Sequence, residues 1–437
     1  MEDNIEKNVF FDFKRQPGKR LIENIKINDP KISVITSYYN YKDYIMQTYR
    51  SLSNQTFPYW EWIIVNDGST EENTEEVLSN LKALDDRIKI YNKENEGLAK
   101  GRDYGISKST TDLIFPLDAD DLIEPTTLEC SYWALKTNPK AAWAYTNIVN
   151  FGEFNDLDKR AFDVEKMKVD NMITATALIR KQKILELGGY SIAKRYVNED
   201  WHLWLRMMQK GNYPVEIGFY GFWYRRKKTS LLTWINSNEN NDNEKRKQEL
   251  EEQAKKINKE IKAKIYPNNS EEKNKILDNS SEIDYSEVNN VIAKIDEQRV
   301  LYITNTLNTD TFKLDLLKKI HNENKKITIL TTHESPYIYR QKFEEYAEVF
   351  DLSTFIDKKH WKSFIQYIVH TRNIKRAYML NCDYEEDIET IIKNLIGNNY
   401  EKYRYDENND LYFEEIAKYK KSRRLINRII KKIWKGC

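Results

Sequence analysis

The chain carries three closely spaced carboxylates at Asp118-Ala119-Asp120-Asp121, directly after the apolar residues 113–117. Neighbouring carboxylates at the end of a buried strand repel one another unless a cation or hydrogen-bond donors compensate their charge. A Mg²⁺ or Mn²⁺ ion held by one or two of them would keep coordination positions for the oxygens of a nucleoside diphosphate. An acidic turn that caps the next helix explains the same residues, so this segment alone leaves both interpretations open.

A second acidic pair, Glu199-Asp200, stands immediately before an amphipathic stretch that begins Trp201-His202-Leu203-Trp204. At the start of a helix the exposed backbone amides favour an anion, and capping alone explains both carboxylates. A carboxylate held ionised beside a crevice is also what a general base needs to take a proton from a hydroxyl group.

A third segment, residues 97–105, combines three glycines with Arg102 at the opening of a predicted helix. Small residues and an arginine permit a phosphate or a nucleobase to approach the backbone closely. The segment matches neither the Walker pattern nor the dinucleotide pattern, so a plain loop-to-helix junction is the alternative.

The elements that position these residues alternate short apolar runs with amphipathic segments from residue 31 onward, which predicts an α/β fold with a mainly parallel sheet. Strands are predicted at residues 32–36, 62–65 and 113–117, so Asp67 and Asp118 each follow the carboxyl end of a strand. Ligands of open α/β sheets collect at those ends, and we expect both aspartates to face one crevice.

Composition limits the possible functions of the 437 residues. The length allows two globular domains, and 70 Lys and Arg against 69 Asp and Glu exclude a protein that coats nucleic acid. The three cysteines fit neither a zinc site nor a disulfide framework. The N-terminal residues have no apolar core of a signal peptide, and nowhere do 18 apolar residues run together. We therefore expect a cytoplasmic protein, soluble or peripherally bound at the inner face of the cell membrane.

Shifts in composition divide the chain into five regions. We predict an N-terminal extension (1–30), a first α/β domain (31–235), a charged linker with a helical part (236–297), a second α/β domain (298–400) and a basic tail (401–437). Residues 418–437 hold nine Lys or Arg, no acid and a helical apolar stripe. Such a helix either lies on anionic lipid or docks on its own domain, and the sequence favours neither.

The order and spacing of six segments within residues 31–225 resemble glycosyltransferase family 2 with the GT-A fold. The segments are Val34-Ile35-Thr36-Ser37-Tyr38-Tyr39-Asn40, Val65-Asn66-Asp67-Gly68-Ser69-Thr70, residues 97–105, Leu117-Asp118-Ala119-Asp120-Asp121, Gly188-Gly189-Tyr190 and Glu199-Asp200-Trp201. The resemblance implies a GT-A nucleotide-sugar transferase domain, followed by a smaller Rossmann-like domain. It also implies an inverting transfer of a sugar from a nucleotide donor, expected to be a UDP-sugar, to a glycan or lipid-linked acceptor in cell-surface polysaccharide synthesis.

Residue roles follow from the same resemblance. On the donor side, Ser37 belongs to the nucleotide-sugar site, Tyr39 stacks on the nucleobase, Asp67 accepts a hydrogen bond from a uracil imide and Arg102 holds the nucleotide. Asp118 lies near the ribose and beside the metal, and Asp120 ligates the Mn²⁺ or Mg²⁺ ion. On the acceptor side, Asp200 is the catalytic base and Glu199 its supporting neighbour.

The chain departs from the family pattern in three places. Ser37 stands where many members have proline, and Asp103 where many have asparagine. In Tyr224-Arg225-Arg226-Lys227-Lys228 there is no histidine shortly after the arginine, so we name no second protein ligand for the metal beyond the aspartates. His202 is too close to the predicted base, Asp200, to serve in place of that missing histidine. We expect it to pack or to contact the acceptor.

The role of the second domain and two alternative functions also have to be considered. The second domain loosely resembles the first part of the nucleotide-free half of a GT-B enzyme. It has no glycine-rich turn after its first strand, so we assign it no catalysis. A nucleotidyltransferase would carry a basic, glycine-rich loop where Thr36-Ser37-Tyr38-Tyr39-Asn40 stands. A catalytically silent nucleotide-sugar or glycan-binding scaffold of a polysaccharide assembly complex is the alternative from another class.

Overall fold

The computed structural model describes residues 29–190, 198–228, 299–308, 311–322, 326–382, 384–405 and 411–412, with the single residues 248, 252, 255 and 261. The described residues therefore include almost none of the predicted N-terminal extension and linker. Residues 418–437 of the basic tail lie wholly outside them. Ile261 of the predicted linker packs against the core of the first sheet. The division into five regions stays a prediction.

The first sheet is mixed and contains nine strands in the described part of the chain, in the order β3-β2-β1-β4-β8-β6-β9-β5, with β7 beside β6. Its strands are β1 (Ile32–Tyr38), β2 (Trp60–Asp67), β3 (Ile88–Lys93), β4 (Leu113–Pro116), β5 (Leu122–Ile123), β6 (Trp143–Gly152), β7 (Asp156–Asp158), β8 (Leu178–Arg180) and β9 (Pro214–Arg226). Strands β3, β2, β1 and β4 are parallel, whereas β8 runs antiparallel to β4 and β6. The predicted mixed α/β fold is confirmed.

Helices pack on this sheet, and its buried apolar side chains belong to two large clusters and to a smaller one formed by Leu122, Val149, Phe151 and Trp223. They are α1 (Ile45–Ser53), α2 (Thr74–Leu84), α3 (Leu98–Lys108), α4 (Thr127–Thr137), α5 (Val164–Met167), α6 (Lys181–Leu185) and α7 (Glu199–Gln209). In α7 the apolar residues Trp201, Trp204, Leu205 and Met208 recur at helical spacing and are buried. Residues 201–208 are all buried, so packing on every side holds α7 and its first turn in place.

The second sheet confirms the predicted α/β unit near the C-terminus. Its order is β12-β11-β10-β13-β14-β15, and the first five strands are parallel to their neighbours. The strands are β10 (Arg299–Thr304), β11 (Lys326–Thr331), β12 (Ala347–Asp351), β13 (Arg376–Leu380), β14 (Tyr400–Tyr405) and β15 (Leu411–Tyr412). The helices are α8 (Thr311–Asn322), α9 (Tyr337–Glu344), α10 (Leu352–Phe355), α11 (Trp361–Thr371) and α12 (Glu385–Ile396).

The two sheets are joined by a buried interface between α4 and α11. Trp133 of α4 packs edge-on against Phe364 of α11, with ring centroids 5.2 Å apart. Beside this contact the Glu129 carboxylate receives two hydrogen bonds from the Arg372 guanidinium, of 2.7 and 2.8 Å, and one from the Tyr367 hydroxyl, of 2.5 Å. Because all three side chains are buried, the second unit is docked on the first by apolar packing and by a desolvated ion pair.

The structure also bears on the cysteines and on membrane-spanning helices. Cys130 and Cys382 are buried thiols that form no disulfide in the described part of the chain. Within the described ranges, no helix combines the length and apolar character needed to span a bilayer.

Candidate active site

The candidate site lies at the carboxyl edge of the first sheet, where three adjacent parallel strands end. Tyr38 of β1 is in register with Asn66 of β2, and Ile35 of β1 is in register with Pro116 of β4. Asp67 is the last residue of β2, and Tyr39 and Asp118 follow β1 and β4 closely. The sequence-based expectation that Asp67 and Asp118 follow strands at one edge of the sheet agrees with this arrangement.

The acidic turn after β4 is held by hydrogen bonds from three neighbouring elements. The Thr36 hydroxyl donates to the Leu117 carbonyl at 2.6 Å, and the Thr48 hydroxyl donates to the Ala119 carbonyl at 2.9 Å. Arg225 of β9 donates its backbone amide to Asp121 Oδ1 and its Nε to the Asp120 carbonyl, at 2.8 and 2.7 Å. The turn is therefore rigid, and sequence reasoning had not identified Arg225 as its anchor.

Arg102 connects the acidic turn to the first turn of α7. Its Nη2 donates to Asp118 Oδ1 at 2.7 Å, and its Nη1 donates to Glu199 Oε1. Arg102 is only 2% exposed, and its pKa is raised by the Asp118 and Glu199 carboxylates despite burial. The resemblance predicts that Arg102 holds the nucleotide, and the structure shows it as a permanently charged link between Asp118 and Glu199.

Two glycines allow Arg102 to reach this position. A Cβ on Gly101 would lie 2.1 Å from the Ser37 Oγ, so only glycine permits helix α3 to approach the end of β1 this closely. Gly189 has a φ of +89°, and a Cβ there would meet the Asp103 carboxylate at 2.5 Å. Asp103 in turn accepts a hydrogen bond from the Tyr190 amide at 2.7 Å. The glycine segments thus pack α3 against β1 and residues 188–190.

Asp200 stands on the same first turn of α7 and is partly buried. Burial raises the pKa of the Asp200 carboxyl to about 7, and the Glu199 carboxylate adds to this rise, while Arg102 and hydrogen bonds from the Trp201 amide and the Asn171 side chain oppose it. A carboxylate with a pKa near neutrality is suited to proton transfer. Asn171 carried no signal in the sequence because it lies in a loop far from every motif.

Asp120 is paired with Lys227, which belongs to the segment 224–228 that departs from the family pattern. Lys227 Nζ lies 2.6 Å from Asp120 Oδ2, and their side chains are 19% and 11% exposed. The same ammonium lies 4.2 Å from the centre of the Tyr41 ring. In Asp120, burial raises the pKa, and Lys227 opposes that rise.

The two predicted nucleobase contacts differ in accessibility. Tyr39 is 41% exposed beside the strand edge, as a stacking platform requires. Asp67 is 2% exposed. Its carboxylate accepts from Lys93 Nζ at 2.7 Å and from the Glu96 and Gly97 amides at 3.0 and 2.7 Å. Asp67 therefore shapes the loop before α3, and a hydrogen bond from uracil would be the fourth that this carboxylate accepts.

The acidic turn fits a divalent ion in its donor chemistry. Asp118, with 36% of its side chain exposed, and Asp120 offer hard oxygen ligands. Five carboxyls lie around the turn. Arg102 pairs with Asp118 and Glu199, and Lys227 pairs with Asp120. Asp121 accepts from the backbone amide of Arg225, and Arg102 acts on Asp200 through its charge. Within the described residues no three His, Cys, Asp or Glu side chains are arranged to hold a metal ion together. An ion bound by two aspartates leaves coordination positions for substrate oxygens or water.

His202, for which the sequence leaves packing and contact with the acceptor open, lies within α7. It is buried, and burial together with nearby Arg206 lowers the pKa of its imidazole to about 4. Its Nδ1 has no hydrogen-bond partner among the residues that the structure describes. His202 is therefore a neutral side chain of the helix interior at neutral pH.

Comparison with known proteins agrees with this architecture. The model of the Glycosyl transferase family 2 family matches residues 33–201. The putative teichuronic acid biosynthesis glycosyltransferase TuaG of Bacillus subtilis is 29% identical over 42% of this chain and 73% of its own length. The putative glycosyltransferase EpsE of the same organism is 30% identical over 42% of this chain and 68% of its own.

Other similarities cover less or are more distant. An uncharacterized glycosyltransferase of Rickettsia bellii is 39% identical over 26% of this chain, but the match spans only 16% of that protein. Among solved structures, S. aureus TarS 1-349 in complex with UDP-GlcNAc aligns with 52% of this chain and 70% of its own, at 15% identity and a TM-score of 0.43.

Proposed function

The chain belongs to glycosyltransferase family 2, and from that premise we propose that it transfers a sugar, with inversion, from a UDP-sugar to a hydroxyl of a glycan or lipid-linked acceptor. The observation that carries this proposal is the Arg102 bridge, which holds the acidic turn and the first turn of α7 side by side. A site for the leaving nucleotide and a carboxylate for the acceptor are then parts of one rigid unit.

In the proposed reaction, Asp200 removes the proton of the acceptor hydroxyl. The oxygen attacks the anomeric carbon from the face opposite the diphosphate, which inverts its configuration. The raised pKa of Asp200 makes it a stronger base than an exposed aspartate, and Glu199 supports it by fixing Arg102. Base and leaving group act from opposite faces, so a single displacement is sufficient.

On the donor side, Tyr39 stacks on the nucleobase, Ser37 and Asp67 border the nucleotide, and Asp118 lies near the ribose. Asp120 and Asp118 would hold a Mn²⁺ or Mg²⁺ ion, which supplies positive charge for the departing diphosphate. The excess of carboxyls over basic groups around the turn supports this assignment.

We further propose a place for the enzyme in cell-surface polysaccharide synthesis. The similarity to TuaG, whose printed name refers to teichuronic acid biosynthesis, supports this assignment. Residues 31–235 would form the catalytic domain and residues 298–400 a domain that supports it. A cytoplasmic location with attachment of residues 418–437 to anionic lipid agrees with a lipid-linked acceptor.

The test is the release of UDP from a panel of UDP-sugars in the presence of Mn²⁺, with and without candidate acceptors. We expect release from at least one donor by the wild-type protein and little from Asp200→Asn, which should still bind UDP. Absence of release with every donor, together with no rise in melting temperature on addition of UDP and Mn²⁺, would refute the enzyme and leave a glycan-binding scaffold.

A further inference from the structure

The ion-pair partner of Asp120 is a lysine side chain that is held between this carboxylate and two aromatic rings. Lys227 Nζ is 2.6 Å from Asp120 Oδ2, and it lies 4.2 and 5.0 Å from the ring centres of Tyr41 and Tyr44. A carboxylate on one side and aromatic faces on the other stabilise an ammonium ion. The carboxylate proposed to ligate a metal is therefore already paired with the positive charge of Lys227.

The other basic groups around the acidic turn are held too firmly to move. Arg102 is fully buried between Asp118 and Glu199. Arg225 donates three hydrogen bonds from its backbone amide and guanidinium to Asp121, the Asp120 carbonyl and Gln47. Lys227, by contrast, is a compact charge on a flexible four-carbon stem and lies near the end of β9. Of these three cations, it is the one whose charge can be relocated without breaking the fold.

We infer that Lys227 is the resident counter-ion of Asp120, that a divalent cation binds by displacing it, and that the released ammonium then pairs with the diphosphate of the nucleotide. This inference rests on the proposed metal-dependent function. Displacement opposes binding of the metal alone, whereas the nucleotide gives the displaced charge a new partner. Metal and nucleotide should therefore bind cooperatively, and each should raise the affinity for the other by the same factor.

The first experiment measures Mn²⁺ binding without nucleotide, by the electron paramagnetic resonance signal of free Mn²⁺. Lys227→Met should bind Mn²⁺ about tenfold more tightly than the wild type, since a charge-assisted hydrogen bond no longer competes for Asp120. Lys228→Met is the matched control, because Lys228 is 81% exposed and its ammonium lies 3.5 Å from Glu153, outside the acidic turn. It should bind Mn²⁺ as the wild type does.

The second experiment repeats the titration with saturating UDP. UDP should raise the Mn²⁺ affinity of the wild type by about tenfold or more, and that of Lys227→Met by much less, because the variant has no ammonium to give to the diphosphate. Equal Mn²⁺ affinity of Lys227→Met and wild type, with equal enhancement by UDP, would overturn the inference and leave the proposed metal site intact. No Mn²⁺ binding by any protein, even with UDP, would refute the metal site and the inference together.

Discussion

Replacing Asp200 by asparagine is expected to stabilise the folded protein while it abolishes sugar transfer. Asparagine has almost the same shape and keeps an oxygen for the hydrogen bond from the Trp201 amide, which measures 2.8 Å in the wild type. It removes the negative charge, whose burial beside Glu199 raises the pKa of this carboxyl. A base that is costly to ionise in the fold lowers stability at the pH at which it works.

The size of the effect follows from the two pKa values of the carboxyl. In the fold the pKa of Asp200 is about 7, whereas an unfolded aspartate has a pKa of about 3.9. Between these values the folded protein binds more protons than the unfolded chain, so its stability decreases as the pH rises. Linkage gives a penalty of about 1.5 kcal/mol at pH 5 and about 4 kcal/mol at pH 8. Both figures are upper limits, because Asp200 is only partly buried.

The assay is chemical denaturation of the wild type and Asp200→Asn at pH 5 and pH 8. The free energy of unfolding of the variant should exceed that of the wild type, and the difference should be larger at pH 8. Transfer activity should decrease by at least about 100-fold, the contribution of a general base. Glu199→Gln is the neighbouring control with the opposite sign, since it removes a charged partner of buried Arg102 and should destabilise by about 1 to 3 kcal/mol. A stability difference for Asp200→Asn that is zero at pH 8, or independent of pH, would refute the reasoning.

Three further predictions follow from other contacts. Asn171→Ala removes a hydrogen bond that lowers the pKa of Asp200, so the acid limb of the pH profile of kcat/KM should move to higher pH; an unchanged or lower midpoint would exclude this positioning role. Asp120→Ala should abolish the Mn²⁺-dependent part of UDP binding measured by calorimetry, while full retention of that part would exclude Asp120 as a ligand. Glu129→Gln leaves Arg372 with one fewer charged partner in the buried interface. Denaturation should show that the free energy of unfolding falls by about 3 kcal/mol. The control Glu165→Gln, at an exposed carboxylate on α5, should change it by less than about 0.5 kcal/mol.

Much of the fold was predictable because its signals are local. Strand β2 is buried throughout, and the sequence shows this as an apolar run. Helix α7 shows its burial as Trp201, Trp204 and Leu205 at helical spacing. The strand ends located Asp67 and Asp118, since a parallel sheet brings such ends to one edge. The antiparallel strands β5 and β8, of two and three residues, were too short to give a periodic signal.

By itself the sequence determined the family, the mixed α/β fold and which carboxylates to consider, because these depend on residue types at fixed spacing along the chain. It did not determine how the charges are paired. Three contacts show this: Arg102 joins Asp118 to Glu199, Lys227 pairs with Asp120, and Asn171 contacts Asp200. The partners are between 16 and 107 positions apart in the chain, and only the tertiary structure brings them together. Charge pairing depends on distances of a few ångströms and on exclusion of water, and neither is encoded in any local stretch of the chain.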